Sequence, residues 1–134
     1  MGRRLTRTLV DTSVVIAAGE PSAFELPERS AISVITLGEL RAGILLARDD
    51  SIRALRESRL GHLLTAYAAL PVDAHVAHHY GVALAWARSN RRTAKATDLL
   101  IVATAAAIDL PLLTLDRAQA AVARGVGVEV TGVS

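Results

Sequence analysis

Read for its apolar and polar positions, the chain falls into short apolar runs, most of them followed by a longer stretch of helical spacing. Thr8-Leu9-Val10 reads as a buried strand ending at Asp11, and Thr12-Ser13 opens a helix through Val14–Ala18. Gly19-Glu20-Pro21-Ser22 breaks that helix. Ala31–Ile35 is a second strand. Thr36-Leu37-Gly38-Glu39 has the S/T-x-x-E form of a capping box and opens a helix to about Ala47. Asp49-Asp50-Ser51 caps the next helix, which places Ile52, Leu55, Leu63, Leu64 and Tyr67 near one face. Leu70-Pro71-Val72 is a short strand with Asp73 as the following cap, and Ala74–Ser89 is a helix. Asn90–Ala96 is a polar, basic connection, after which Thr97 caps a helix over Asp98–Ile108. Leu112–Leu115 is the fourth strand, followed by Asp116 and a short helix to Arg124 that Gly125 stops. Val126–Val130 is the last strand, and no repeat or low-complexity segment interrupts the pattern.

Strands alternating with helices predict an α/β fold, a parallel sheet with helices on both faces. Ligands of such sheets bind outside the carboxyl ends of the strands. Four acids fall on that edge: Asp11 and Asp116 just past strand ends, Glu39 in a first helical turn, and Asp98 at the start of the helix running back towards strand four. Each has a structural explanation on its own. Asp11 and Asp116 suit helix N-caps, Glu39 suits the third position of a capping box with Thr36, and Asp98 suits the positive end of a helix dipole. Asp49 and Asp73 show the same grammar and are assigned to caps. The four together carry more. Asp98 follows a cap residue already in place, and Asp11 interrupts an apolar segment, where a carboxylate is costly unless paired, coordinated or solvated. Like charges raise one another's pKa, so four acids on one edge call for a cation between them. Oxygen-only donors suit Mg²⁺ or Mn²⁺, and such ions with water break phosphodiesters.

The composition sharpens this picture. A length of 134 residues predicts a single domain, 1–134, able to build a core without staples. With no cysteine, disulfides and thiolate metal sites are unavailable, and a cytoplasmic setting fits. The basic start is followed by an apolar stretch that Asp11 breaks, unlike a secretory signal. The longest run without Asp, Glu, Lys or Arg is Ala74–Ala87, short of the roughly 18 residues of a spanning helix, so no membrane role is expected. Hydrophobic residues make up 51% of the chain, which favours a partner or a second copy covering part of them. If metal neutralises the four acids, fifteen cations face the other nine of thirteen Asp and Glu, a balance suited to a polyanion. Lys95 is the one lysine; every other cation is Arg, whose fork suits phosphate. Phe24, Tyr67, Tyr80 and Trp86 are too few for a base-stacking platform.

At this point the motifs resemble those of a known family. Leu9-Val10-Asp11-Thr12-Ser13-Val14-Val15-Ile16 resembles the opening of PIN domains, and Ser33-Val34-Ile35-Thr36-Leu37-Gly38-Glu39-Leu40 with Gly43 resembles their second motif. Ala96-Thr97-Asp98-Leu99-Leu100-Ile101-Val102-Ala103-Thr104-Ala105 is similar to the third, and Leu113-Thr114-Leu115-Asp116 to the fourth. Order, spacing and length resemble the VapC toxins of bacterial toxin–antitoxin pairs, from about Leu9 to Val130. The resemblance implies a three-layer PIN-like fold with a sheet of about five strands in the order 3-2-1-4-5. It implies a Mg²⁺- or Mn²⁺-dependent endoribonuclease acting on tRNA or rRNA and leaving a 5′-phosphate and a 3′-hydroxyl. Its partners would be a second copy, in a homodimer, and a VapB-like antitoxin, in a heterotetramer or larger assembly. Carried onto this chain, Asp11, Glu39, Asp98 and Asp116 form the acidic quartet. Asp11 and Asp98 touch metal directly, Glu39 and Asp116 complete the set or act through water, and the hydroxyls of Ser13 and Thr114 orient carboxylates or water. Two segments depart from the family pattern. An Asp-Phe pair common after the fourth motif's Thr is replaced within Arg117-Ala118-Gln119-Ala120, and the Gly common before the third motif is replaced within Arg91-Arg92-Thr93-Ala94-Lys95.

Arg88, Arg91, Arg92 and Lys95 lead directly to Asp98 and suit RNA phosphates flanking the cut, or an ordinary solvated loop. Arg3, Arg4 and Arg7 read as a frayed terminus. His75 and His79, four apart with His78 beside them, have a zinc-binding spacing without a third ligand and read as a surface helix. Trp86 and Tyr80 read as core or dimer contacts. Gly125-Val126-Gly127 is a turn, since no dinucleotide fingerprint is present and no cofactor site other than the metal is expected. Two rival functions stay open: a metal-dependent nuclease of RNA maturation or of DNA on the same fold, and a non-catalytic binding module in an operator-binding complex.

Overall fold

A computed structural model of the chain describes residues 7–18, 26–27 and 29–132. The expected break at Gly19–Ser22 and the termini at Arg3 and Arg4 lie outside those residues. The elements run β1 (Thr8–Val10), α1 (Thr12–Ala18), β2 (Ser30–Ser33), α2 (Val34–Leu45), α3 (Asp50–Ala66), β3 (Ala68–Leu70), α4 (Ala74–Ser89), α5 (Ala96–Ile108), β4 (Leu112–Leu113), α6 (Arg117–Gly125) and β5 (Val130–Thr131).

The five strands form one sheet in the order β3-β2-β1-β4-β5, and each pairing is parallel. Register at the centre sets Leu9 opposite Ala31 on one side and Leu112 on the other. The order reverses direction at β1. Right-handed crossovers therefore put α1 to α3 on one face and α4 to α6 on the other, giving three layers. Parallel strands covered on both faces need continuous apolar sequence, and Leu9, Val10, Ala31, Ile32 and Leu112 are fully buried. Helix α5 is buried along Ile101–Ala105. Its one polar member there, Thr104, bonds its hydroxyl to the Leu100 carbonyl at 2.8 Å, which is how it tolerates burial. Tyr80 and Trp86 of α4 pack against this core, as core contacts should.

Several boundaries differ from the pattern-based expectation, each for a local reason. The second strand stops at Ser33, not Ile35, because the Ser33 side chain accepts from the Ile35 N–H at 3.0 Å and caps α2. Thr36 is therefore inside the helix, and no capping box with Glu39 forms. Thr97 is likewise inside α5, whose N-cap position is Lys95. The third strand falls at Ala68–Leu70, earlier than expected. On α3 the buried residue is Leu60, while Leu55 and Leu64 are exposed. Asp49 and Asp73 do cap their helices, at 2.8 and 2.9 Å.

Candidate metal centre

The sheet's switch point lies between β1 and β4, where the chain leaves in opposite directions. Asp11 follows β1 there and is almost fully buried. Such burial is tolerated because its oxygens are served. Oδ2 accepts from the Ser13 N–H at 3.0 Å and faces the Thr114 hydroxyl at 3.4 Å. Oδ1 accepts from the side-chain amide of Gln119 at 3.0 Å. Ser13 thus reaches Asp11 through its backbone, while its hydroxyl oxygen accepts from the Leu115 N–H at 3.2 Å and ties α1 to the end of β4. Asp116 caps α6, accepting from the Gln119 N–H at 3.0 Å, so the capping reading holds for this acid as well.

Glu39 does something no local pattern predicts. Its Oε1 accepts from the Thr12 hydroxyl at 2.7 Å, across 27 positions of sequence. Thr12 also lies 2.9 Å from the Thr36 hydroxyl. A hydroxyl has one proton and a carboxylate only accepts. The Thr12 proton therefore goes to Glu39, and Thr36 donates to Thr12. Neither Thr12 nor Thr36 stands out in sequence; both read there as helix-opening hydroxyls.

Asp98, in the first turn of α5, completes the edge. Among the described residues its carboxylate receives no hydrogen bond. Burial pushes its pKa up to about 6, reinforced by Asp11, then Asp116, with Glu39 adding in the same direction and Lys95 opposing. All three other acids thus act on this one carboxyl. Among the described residues, no three His, Asp or Glu are drawn together into a closed ion-binding cluster. Mg²⁺ does not require one, since it is usually held by one or two carboxylates and keeps several waters. An all-oxygen donor set with an unserved carboxylate beside a buried one fits such an ion.

The basic segment is at hand. Arg88, in the last turn of α4, and Arg91, Arg92 and Lys95, in the connection to α5, are all exposed, and Arg91 adopts a left-handed φ of 55°. The histidines form edge-to-face ring contacts, 5.0 Å for His75–His79 and 5.2 Å for His78–His79. A cavity of about 510 Å³ lined by His79, Asp109, Pro111 and Glu129 opens before β4 and β5, at the opposite edge from the acids. Among the described residues, no helix is long and apolar enough to cross a membrane.

Known proteins share this fold. The PIN domain family model matches residues 8–125. The chain is 43% identical over 100 residues to Ribonuclease VapC8 of Mycobacterium tuberculosis, covering 72% of this chain and 88% of that one. It is 36% identical over 129 residues to Ribonuclease VapC5 of the same organism, covering 93% and 94%. Among solved structures, VapBC-5 from Mycobacterium tuberculosis, described as a member of the VapBC family of toxin-antitoxin systems, superposes with a TM-score of 0.80 at 34% identity, covering 94% of this chain and 98% of that one. FitAcB from Neisseria gonorrhoeae superposes with a TM-score of 0.81 at 26% identity, covering 93% and 96%. With a family match spanning nearly all the described sheet and helices, this chain belongs to the PIN domain family.

Proposed function

We propose that the chain is a Mg²⁺- or Mn²⁺-dependent endoribonuclease of the VapC kind, the toxin of a pair neutralised by a VapB-like antitoxin. Its substrate is an RNA of the tRNA or rRNA class. The observation that carries this reading is the gathering of Asp11, Glu39, Asp98 and Asp116 at one edge of the sheet, where Asp98 is the acid whose carboxylate receives no hydrogen bond among the described residues. Relatives named Ribonuclease VapC and a VapBC complex of the same fold support it.

Asp11 and Asp98 would hold the ion directly, and Glu39 and Asp116 would complete the ligand set or act through water. When bound, such an ion lowers the pKa of a water and offsets charge on the leaving oxygen. The chain's own groups prepare the edge for it. The Thr12 hydroxyl fixes one Glu39 oxygen, and the Ser13 N–H fixes one oxygen of Asp11. Thr114 accepts from the Asp116 N–H at 3.0 Å and keeps that residue in register with Asp11. Arg88, Arg91, Arg92 and Lys95 bind the phosphates flanking the cut and position the strand without reading its sequence. Exposed apolar side chains on and just after α2 and on α3, Leu45, Leu46 and Leu55, offer surface for the antitoxin or a second copy.

The test is cleavage of a labelled tRNA and rRNA pool by antitoxin-free protein in Mg²⁺ or Mn²⁺, in EDTA, and with Asp98→Asn. Discrete fragments lost in EDTA and in the variant are expected. Fragments that persist in Asp98→Asn would place the activity elsewhere.

A further inference from the structure

Gln119 is 1% exposed and every polar atom of its side chain is engaged. Nε2 donates to Asp11 Oδ1 at 3.0 Å and to the Asp98 carbonyl at 3.2 Å, and Oε1 accepts from the Thr114 hydroxyl at 2.6 Å. The orientation of the amide follows from chemistry. Turned over, its oxygen would face the Asp11 carboxylate, and two acceptors would meet without a proton.

The local sequence explains how this side chain becomes available. Asp116-Arg117-Ala118-Gln119 has the spacing of a capping box, in which the Gln would reach back to the cap residue's N–H. Here the Asp116 N–H is instead taken by Thr114 Oγ1 at 3.0 Å. That releases the Gln119 amide to cross to β1 and α5. One buried amide therefore ties together the two residues assigned to the ion. It also takes the Thr114 proton, at 2.6 Å against 3.4 Å to Asp11, leaving Asp11 Oδ2 less encumbered.

We propose that Gln119 is a positioning residue that holds Asp11 against Asp98 in the orientation a divalent cation needs. The inference rests on reading the acidic edge as a cation site. Groups that orient metal ligands commonly contribute about tenfold to a hundredfold to affinity.

The experiment is Mn²⁺ binding to the folded protein, read from the electron paramagnetic resonance of the unbound ion, in wild type, Gln119→Met and Asp98→Asn. Gln119→Met is expected to bind about tenfold or more weakly while its circular dichroism stays native. Binding within about twofold of wild type would overturn the positioning role alone, provided Asp98→Asn has lost the ion. Wild type that binds no Mn²⁺, or Asp98→Asn that binds as wild type does, would overturn the cation site and this inference with it. Should Gln119→Met not fold, the wild-type protein decides through its ¹⁵N–¹H side-chain amide signal of Gln119 during a Mg²⁺ titration. The signal is expected to shift with the same midpoint as the Asp98 backbone amide; an amide unmoved at saturation would refute the role.

Discussion

Asp98→Asn should make the metal-free protein more stable, although it removes a residue assigned to the active edge. The Asp98 pKa stands at about 6 against an ordinary 3.8. At about 1.36 kcal/mol per pKa unit, that shift would cost a fully dry group about 3 kcal/mol. Asp98 is only half-buried, and solvent screening reduces the cost to about 1–1.5 kcal/mol. The raised pKa means that the folded state disfavours the ionised form. The penalty is therefore absent below the unfolded value near 3.8, grows as pH rises, and is complete above about 6. Asparagine keeps the shape and drops the charge. In thermal melts in EDTA, the variant should melt about 3–6 °C above wild type at roughly pH 7.5, and the difference should vanish near pH 4. Mg²⁺ should reverse the ranking, because it binds and stabilises only the wild type. A variant less stable than wild type in EDTA at neutral pH, or a difference independent of pH, would refute the penalty of burial and like charges that the edge places on Asp98.

Other perturbations probe the remaining parts. Thr12→Val removes the hydroxyl that serves Glu39 and accepts from Thr36; urea unfolding should show a loss of about 1–2 kcal/mol, larger than an exposed Thr would give. Gly125→Ala would drive a Cβ into the ring of Trp86, which is itself packed on the core. Calorimetry should record a net loss of about 1–2 kcal/mol despite alanine's better helix propensity. Replacing Arg91 and Arg92 by Ala, in an Asp98→Asn background so that only binding is read, should weaken RNA binding across sequences. The salt slope should also fall by about 0.7 for every phosphate that is no longer neutralised.

Much of the fold was legible in the sequence because its signals are local. Leu9-Val10 and Leu112-Leu113 are apolar runs too short for helices, and only a sheet buried on both faces accommodates them. Asp49 and Asp73 cap the helices they precede because the contact spans three residues. Helix α4 has the predicted bounds Ala74–Ser89 for the same reason. Asp11, Asp98 and Asp116 were recognisable by their places after strands and at a helix start, and α/β topology sends those places to one edge; Glu39, expected in a first turn, lies in the second turn of α2 because that helix starts at Val34. The capping-box pattern falls one turn too late. It puts the cap at Thr36, whereas Ser33 caps α2 and Thr36 lies inside the helix, buried against Thr12 of a different helix, a contact that no local spacing encodes.

What the tertiary structure alone decided is how the acids are served. A hydrogen bond from Thr12 to Glu39 spans 27 residues, and one from Gln119 to Asp11 spans 108. No periodicity or capping pattern encodes contacts of that range; they exist because crossover connections bring β1, β4 and the starts of α1, α5 and α6 together. The raised pKa of Asp98 has the same origin, since it sums burial with charges from β1, α2 and the turn after β4. Sequence determined which residues could carry charge at the edge. Packing determined which of those charges are hydrogen-bonded and which one, among the described residues, receives no hydrogen bond.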